Sequence, residues 1–251
     1  MNMQLTITGI SGIPEVRPGD DLAGLVLAGC ATTGVALREG DILVVTQKVV
    51  SKAEGRLVDL RQVEPSAFAL DYAKRWGKDP RQIEVVLRES VRVVRMDKGV
   101  IITETRHGFV CANSGVDASN VPGKHVVSLL PEDPDASAAR IRDAIRERTG
   151  VDAPVIISDS FGRTWRNGII NVAVGISGLH ALIDYRGRDD PYGYRMSATV
   201  IAVADELASA AELAMGKVEG CPAALIRGYP YTPSPGSAQE LVIHPERDMF
   251  R

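Results

Sequence analysis

Residues 155–168 place an acid, hydroxyls and two arginines directly behind an apolar run: Val155, Ile156 and Ile157 lead into Ser158, Asp159 and Ser160, then Gly162, Arg163, Arg166 and Gly168. A buried strand ending in Asp159 and Ser160 carries oxygen ligands for a hard divalent cation to a sheet edge. The glycine-punctuated turn beyond it adds guanidinium groups suited to phosphate or carboxylate. A second polar concentration, residues 113–120, holds one carboxylate (Asp117), two amides (Asn113, Asn120) and two hydroxyls (Ser114, Ser119). Mg²⁺ or Mn²⁺ takes one or two carboxylates plus substrate phosphates, so Asp117, Asp159 and the Ser160 hydroxyl meet that demand. The competing reading is two solvated or capping aspartates, with Asp117 in an ordinary Asx turn. A third group follows the β-branched run 42–46: Gln47, Lys48, Ser51, Lys52, Glu54, Gly55 and Arg56. Lysines behind a buried strand either meet phosphates in a cleft or stand on a solvated turn.

Other chemistries fail on spacing. An aspartyl nucleophile of the haloacid-dehalogenase type expects a second Asp two residues after Asp159, where Phe161 stands. Residues 175–178, Gly-Ile-Ser-Gly, lack the G-x-S-x-G elbow of a serine hydrolase. His107, His125, His180 and His244 show no zinc spacing, and neither Walker A nor G-x-G-x-x-G occurs. Cys30, Cys111 and Cys221 form no C-x-x-C pair and read as small buried apolar residues.

The elements that must position these groups follow from periodicity and punctuation. Strands are expected at 5–8, 42–46, 91–94, 100–103, 109–112, 126–130, 155–157, 169–174 and 222–226. Helices are expected after Asp20 and Asp21, up to Gly77, over 81–89, over 136–148 with Gly150 as the stop, and over 198–215. Residues 184–193 read as a charged, aromatic loop, and 229–237 as a proline- and serine-rich loop. Without regular βαβ alternation the class is α+β, with mixed or antiparallel sheets and packed helices.

The 251 residues are 45% hydrophobic and 24% charged, which fits one large domain or two intertwined smaller ones. A net charge of −3 and the lack of any long basic run argue against nucleic acid as partner. No signal peptide is read at the N-terminus and no apolar run approaches the roughly 18 residues of a membrane span. The expectation is a cytoplasmic protein.

Several ordered segments resemble one family, the coenzyme F420:L-glutamate ligases. They are Gly12-Ile13-Pro14, residues 50–56 (Val-Ser-Lys-Ala-Glu-Gly-Arg), residues 115–120 (Gly-Val-Asp-Ala-Ser-Asn), residues 158–163, residues 175–178, residues 205–208 (Asp-Glu-Leu-Ala) and Arg227-Gly228. The resemblance implies GTP as co-substrate, Mn²⁺ or Mg²⁺ with two ions per site, and potassium as a stimulating ion. It implies L-glutamate and coenzyme F420-0 as substrates, and an intertwined homodimer. Two subdomains are implied, about 1–90 plus 180–251 and about 91–179. By position, Asp117 and Asp159 correspond to ligands of the first metal and Ser160 to a ligand of the second. Ile13, Pro14, Glu15, Val16, Gln47, Lys48, Lys52 and Asn120 fall where the family contacts GTP. So do Met215, Gly216, Lys217, Val218, Glu219, Gly220 and Cys221. Lys217 stands where the archaeal pattern has an acidic metal ligand, with Glu219 as a candidate substitute. That loop resembles the bacterial branch, some members of which carry a fused nitroreductase-like domain not expected here.

The implied reaction phosphorylates the terminal carboxylate of F420-0 with the γ-phosphate of GTP, and the glutamate α-amine then attacks the acyl phosphate. Asp117, Asp159 and Arg163 are the expected catalytic residues, with Lys48 or Lys52 on phosphate and Arg163 or Arg166 on phosphate or substrate carboxylate. The alternatives are a related phosphotransferase with another carboxylate substrate and a non-catalytic nucleotide-binding protein.

Overall fold

The computed structural model describes residues 3–249. Among the described residues thirteen strands and six α-helices follow in chain order: β1 (Thr6–Ile10), α1 (Leu22–Thr33), β2 (Ile42–Thr46), α2 (Gln47–Ala53), β3 (Leu57–Asp59), α3 (Ala67–Trp76), α4 (Pro80–Arg88), β4 (Ser90–Asp97), β5 (Val100–Thr105) and β6 (Val110–Ala112). After them come β7 (Val126–Ser128), α5 (Pro134–Thr149), β8 (Val155–Arg163), β9 (Arg166–Leu179), β10 (Ile183–Asp184), β11 (Val200–Ile201), α6 (Val203–Met215), β12 (Ala223–Arg227) and β13 (Pro233–Ser234). The α+β expectation holds.

The main sheet runs β1-β12-β2-β8-β9-β13, antiparallel except for the parallel β2–β8 pair. That pair explains the continuous apolar runs, since strands buried on both faces need no polar alternation. Helices α1, α5 and α6 complete the main core. A smaller core gathers Leu60, Val63, Tyr72, Ile83, Val86, Ile101, Val116, Val127 and Leu129 around α3 and α4. The smaller core draws its residues from 58–129, while Phe109 from the same stretch joins the main core, and β8 and β9 lie in the main sheet.

Capping residues fix the helix ends where the sequence places them. The Asp21 side chain accepts the Gly24 amide, Asp133 accepts that of Ala136, and Gly150 closes α5 in the left-handed region. Ser66 starts α3 by accepting the Ala69 amide. Ser66→Ala should cost about 1 kcal/mol, read as a small drop in urea midpoint with unchanged m value.

Four local expectations are corrected. Residues 47–53 are helical, because Val49, Val50 and Ser51 turn inward while Gln and Lys tolerate the helix. The 155–157 strand continues through residue 163, because each residue from 155 to 162 finds a partner on β9. Strand β9 in turn runs through the Gly-Ile-Ser-Gly segment. Helix α6 begins at Val203, since Val200 and Ile201 pair with β10. Among the described residues no helix is long and apolar enough to cross a membrane.

Candidate active site

A cavity of about 710 Å³ opens where five segments meet: the β1–α1 loop, the start of α2, the stretch from β6 to residue 122, the outer halves of β8 and β9, and the loop after α6. Of the residues expected from sequence, Ile13, Pro14, Glu15, Val16, Gln47, Lys48, Lys52, Asp117 and Asn120 line it. Asp159, Ser160, Gly216, Lys217, Val218, Gly220 and Cys221 do so as well.

Four expected residues, Arg163, Arg166, Met215 and Glu219, lie outside this lining. Arg163 pairs with Arg166 across the end of the β8–β9 hairpin, and its Nη2 donates to the Asn167 carbonyl at 2.8 Å. The extension of β8 carries it past Gly162, where the cavity lining on that strand ends. Met215 is buried in the main core as the last residue of α6. Glu219 accepts the Val218 amide at 2.8 Å on the surface of its own loop and does not line the cavity. Its place argues against Glu219 as a substitute metal ligand.

The loop bearing Asp117 is built by strain and pinned by hydrogen bonds. Asn113 and Ser114 have φ of 54°, followed by Gly115 at 70°. The buried Ser114 hydroxyl contacts Thr103 Oγ1 at 2.7 Å and Ser90 Oγ at 2.8 Å, which holds this turn down. Asp117 then exchanges backbone hydrogen bonds with Ser128 at 2.8 and 3.1 Å. Its carboxylate accepts the Ser119 amide at 2.8 Å and the Ser119 hydroxyl at 2.5 Å, an Asx turn in which one face stays open to the cavity.

Lys48 links the two cores, donating to Asp117 Oδ2 at 2.7 Å and Ser128 Oγ at 2.9 Å. Lys52, buried in α2, reaches Glu15 Oε1 at 2.7 Å. Burial pushes the Asp117 carboxyl up, but hydrogen bonds from Lys48 and Ser119 outweigh it and leave the group below its ordinary range. Asp159 goes the other way. Burial raises it to about 6, and the Asp117 charge adds to the rise, against the Ser160 amide, Lys48 and Lys217.

Asn171 was not anticipated. It interrupts the β-branched run of β9 opposite Ser160, and its Oδ1 accepts the Ser160 hydroxyl at 2.7 Å. A single amide inside an apolar strand is the signal that could have found it. A bulge at Val174 follows it on β9, because Ser158 faces Ala173 while Ile157 faces Gly175. Helix α6 secures this irregular stretch: Asp205 Oδ1 accepts the Ala173 amide at 2.8 Å, and Ser209 donates to the Asn171 carbonyl at 2.6 Å.

Oxygen donors suit a divalent cation at Asp117 and Asp159. Two carboxylates share a cavity, and burial makes the charge on one of them costly until a cation neutralises it. Among the described residues no group of three or more His, Cys, Asp or Glu could hold a metal. Few carboxylates with substrate phosphate completing the shell is the Mg²⁺ and Mn²⁺ pattern. Ser160 fits a cation poorly, because its hydroxyl lies between Asn171 Oδ1 and the Lys217 ammonium.

Comparison with known proteins settles the family. Residues 11–228 match the family described as F420-0:Gamma-glutamyl ligase. The chain belongs to that family. The coenzyme F420:L-glutamate ligase of Methanothermobacter thermautotrophicus is 46% identical over 252 residues, 99% of this chain and 100% of that protein. The ligase of the same name from Methanopyrus kandleri is 49% identical over 242 residues, 94% of each chain. That of Methanocaldococcus jannaschii is 44% identical over 216 residues, 86% of each. A member of this family therefore carries the cavity that unites Asp117 and Asp159.

Proposed function

We propose that the chain joins L-glutamate to coenzyme F420-0 through γ-glutamyl amide bonds, using GTP to activate the acceptor carboxylate. The family match and the relatives' shared name support the reaction class. The observation that carries the site is one cavity uniting Asp117, Asp159, Lys48 and Lys52 from three separate segments.

A carboxylate does not condense with an amine in water, because its oxygen is a poor leaving group. Transfer of a phosphoryl group converts that oxygen to phosphate, which the amine displaces. The transition state spreads negative charge over phosphoryl oxygens, so catalysis is chiefly positioning and neutralisation. A divalent cation held by Asp117 and Asp159 would supply Lewis-acid neutralisation of phosphate oxygens. Lys48 presents an ammonium beside Asp117, and Lys52 another at the mouth formed by Glu15. Both are point charges suited to phosphate. The Asn171 amide orients the Ser160 hydroxyl at the inner wall. Binding between these groups excludes water from an activated carboxylate that water would otherwise hydrolyse.

Incubation with F420-0, GTP, Mn²⁺ and L-glutamate should yield a product heavier by one or more glutamyl residues, with GDP formed in step. Mass spectrometry reads the product, and no mass increase in a folded sample would refute the reaction.

A further inference from the structure

The loop after α6 brings a fixed positive charge to the inner wall of the cavity. Lys217 Nζ contacts the Ser160 hydroxyl and lies 3.4 Å from Asn171 Oδ1. Behind it, Glu212 on α6 pairs with the same ammonium at 2.9 Å. The Ser160 proton is directed to Asn171 Oδ1, so the lysine approaches the remaining lone pairs of the hydroxyl oxygen. These are the neutral oxygen donors that would otherwise complete a second hard-cation site beside Asp159. The lysine is in their place.

We propose that the Lys217 ammonium is a tethered cation at the Ser160–Asn171 wall, so that this chain takes one divalent cation per site, on Asp117 and Asp159, instead of two. The argument has three parts. A divalent ion on Ser160 would sit in direct contact with an ammonium, and like charges that close repel even where the lysine is half exposed. Among the described residues the carboxylates near that wall are already committed: Glu212 pairs with the lysine itself, Asp159 is assigned to the first ion, and Glu219 lies outside the lining. A lysine, finally, offers three rotatable donors, so it can keep Ser160 and still turn one N–H toward a phosphate oxygen. The cavity is thereby divided into an anionic part that recruits one ion and a part whose cation is covalently attached.

The inference rests on the reading of Asp117 and Asp159 as divalent-cation ligands, and its test separates the two. Mn²⁺ binding to the full chain is measured by electron paramagnetic resonance of the free ion, alone and with a non-hydrolysable GTP analogue at saturation. The expected stoichiometry is one Mn²⁺ per chain, lost in Asp159→Asn. Lys217→Asp, in an open loop where folding is not at stake and circular dichroism should be unchanged, should raise it to two. Lys217→Gln removes the charge but adds no carboxylate. It should leave one tight Mn²⁺ and allow a second at least 10-fold weaker. Two Mn²⁺ on the unaltered chain would overturn the tethered-cation proposal alone, and so would a single Mn²⁺ on Lys217→Asp. No Mn²⁺ on the unaltered chain would overturn both this proposal and the metal reading of the two aspartates.

Discussion

Asp159→Asn should lower kcat by at least about 10²- to 10³-fold, the scale of one lost electrostatic stabiliser, while making the metal-free protein more stable. The opposite signs have one cause. In the folded chain burial raises the Asp159 carboxyl from 3.8 to about 6. The folded state therefore binds this proton more tightly than the unfolded chain does. Protonated Asp159 is accommodated below about pH 4. Between roughly pH 4 and 6 the folded state progressively loses that advantage, and above pH 6 it carries the full cost of a buried charge. A shift of that size corresponds to at most about 3 kcal/mol. Asn keeps the shape and removes the charge. At pH 8 in chelator the variant should melt several degrees higher than the unaltered protein, and the difference should vanish near pH 4. Added Mn²⁺ should stabilise the unaltered chain and leave the variant unmoved. Equal turnover would sink the catalytic assignment, and a lower melting point at pH 8 would sink the electrostatic account.

Gly175→Ala should strongly destabilise the scaffold that holds this site. A Cβ at Gly175 would lie 2.4 Å from the Pro134 carbonyl oxygen and 2.6 Å from its carbonyl carbon. Both are backbone atoms at the start of α5, so no side chain can rotate away. The next residue, Asp135, accepts the Ile176 amide at 2.8 Å and the Ser237 hydroxyl at 2.7 Å, so α5 is clamped to β9 at this point. Relief requires the helix and strand to separate, at a cost of about 3 kcal/mol or more. For a chain of this length that is a melting-point drop of roughly 6–12 °C. The β9 bulge lies immediately before Gly175, so kcat should fall even in the folded fraction as Asn171 loses register with Ser160. Gly162→Ala is the control, because no atom lies within 4 Å of its would-be Cβ. It should melt within about 1 °C of the unaltered protein.

Much of the fold was legible in the sequence because local signals and tertiary burial agree there. The run Ile42 to Val45 is apolar on every residue, and the structure buries all four between β12 and β8. Asp21, Asp133 and Gly150 mark helix ends by chemistry that acts within one turn. The site was legible as types of residue: Asp117, Asp159, Lys48 and Lys52 each stood behind an apolar run, and all four line the cavity. Arg163 stands apart from the cavity for a physical reason. Ser158, Ser160 and Gly162 look like loop residues by propensity, but their backbone groups find partners on β9, and the ladder carries Arg163 to the hairpin tip.

The sequence by itself determined which groups are available: two carboxylates, several lysines, and strands able to bury themselves and stop. Those properties depend on side-chain type and short-range periodicity, which are written in adjacent residues. Only the tertiary structure decided how the groups act. It set Lys48 against Asp117 across 69 residues and placed Asn171 opposite Ser160 through a bulge held by α6. It also brought Lys217 onto the Ser160 hydroxyl from 57 residues away. Charge interactions between such distant positions depend on separation in space and on how much water lies between them. Asp159 in residues 155–168 and Asp117 in residues 113–120, which read alike in sequence, therefore end with carboxyls shifted in opposite directions.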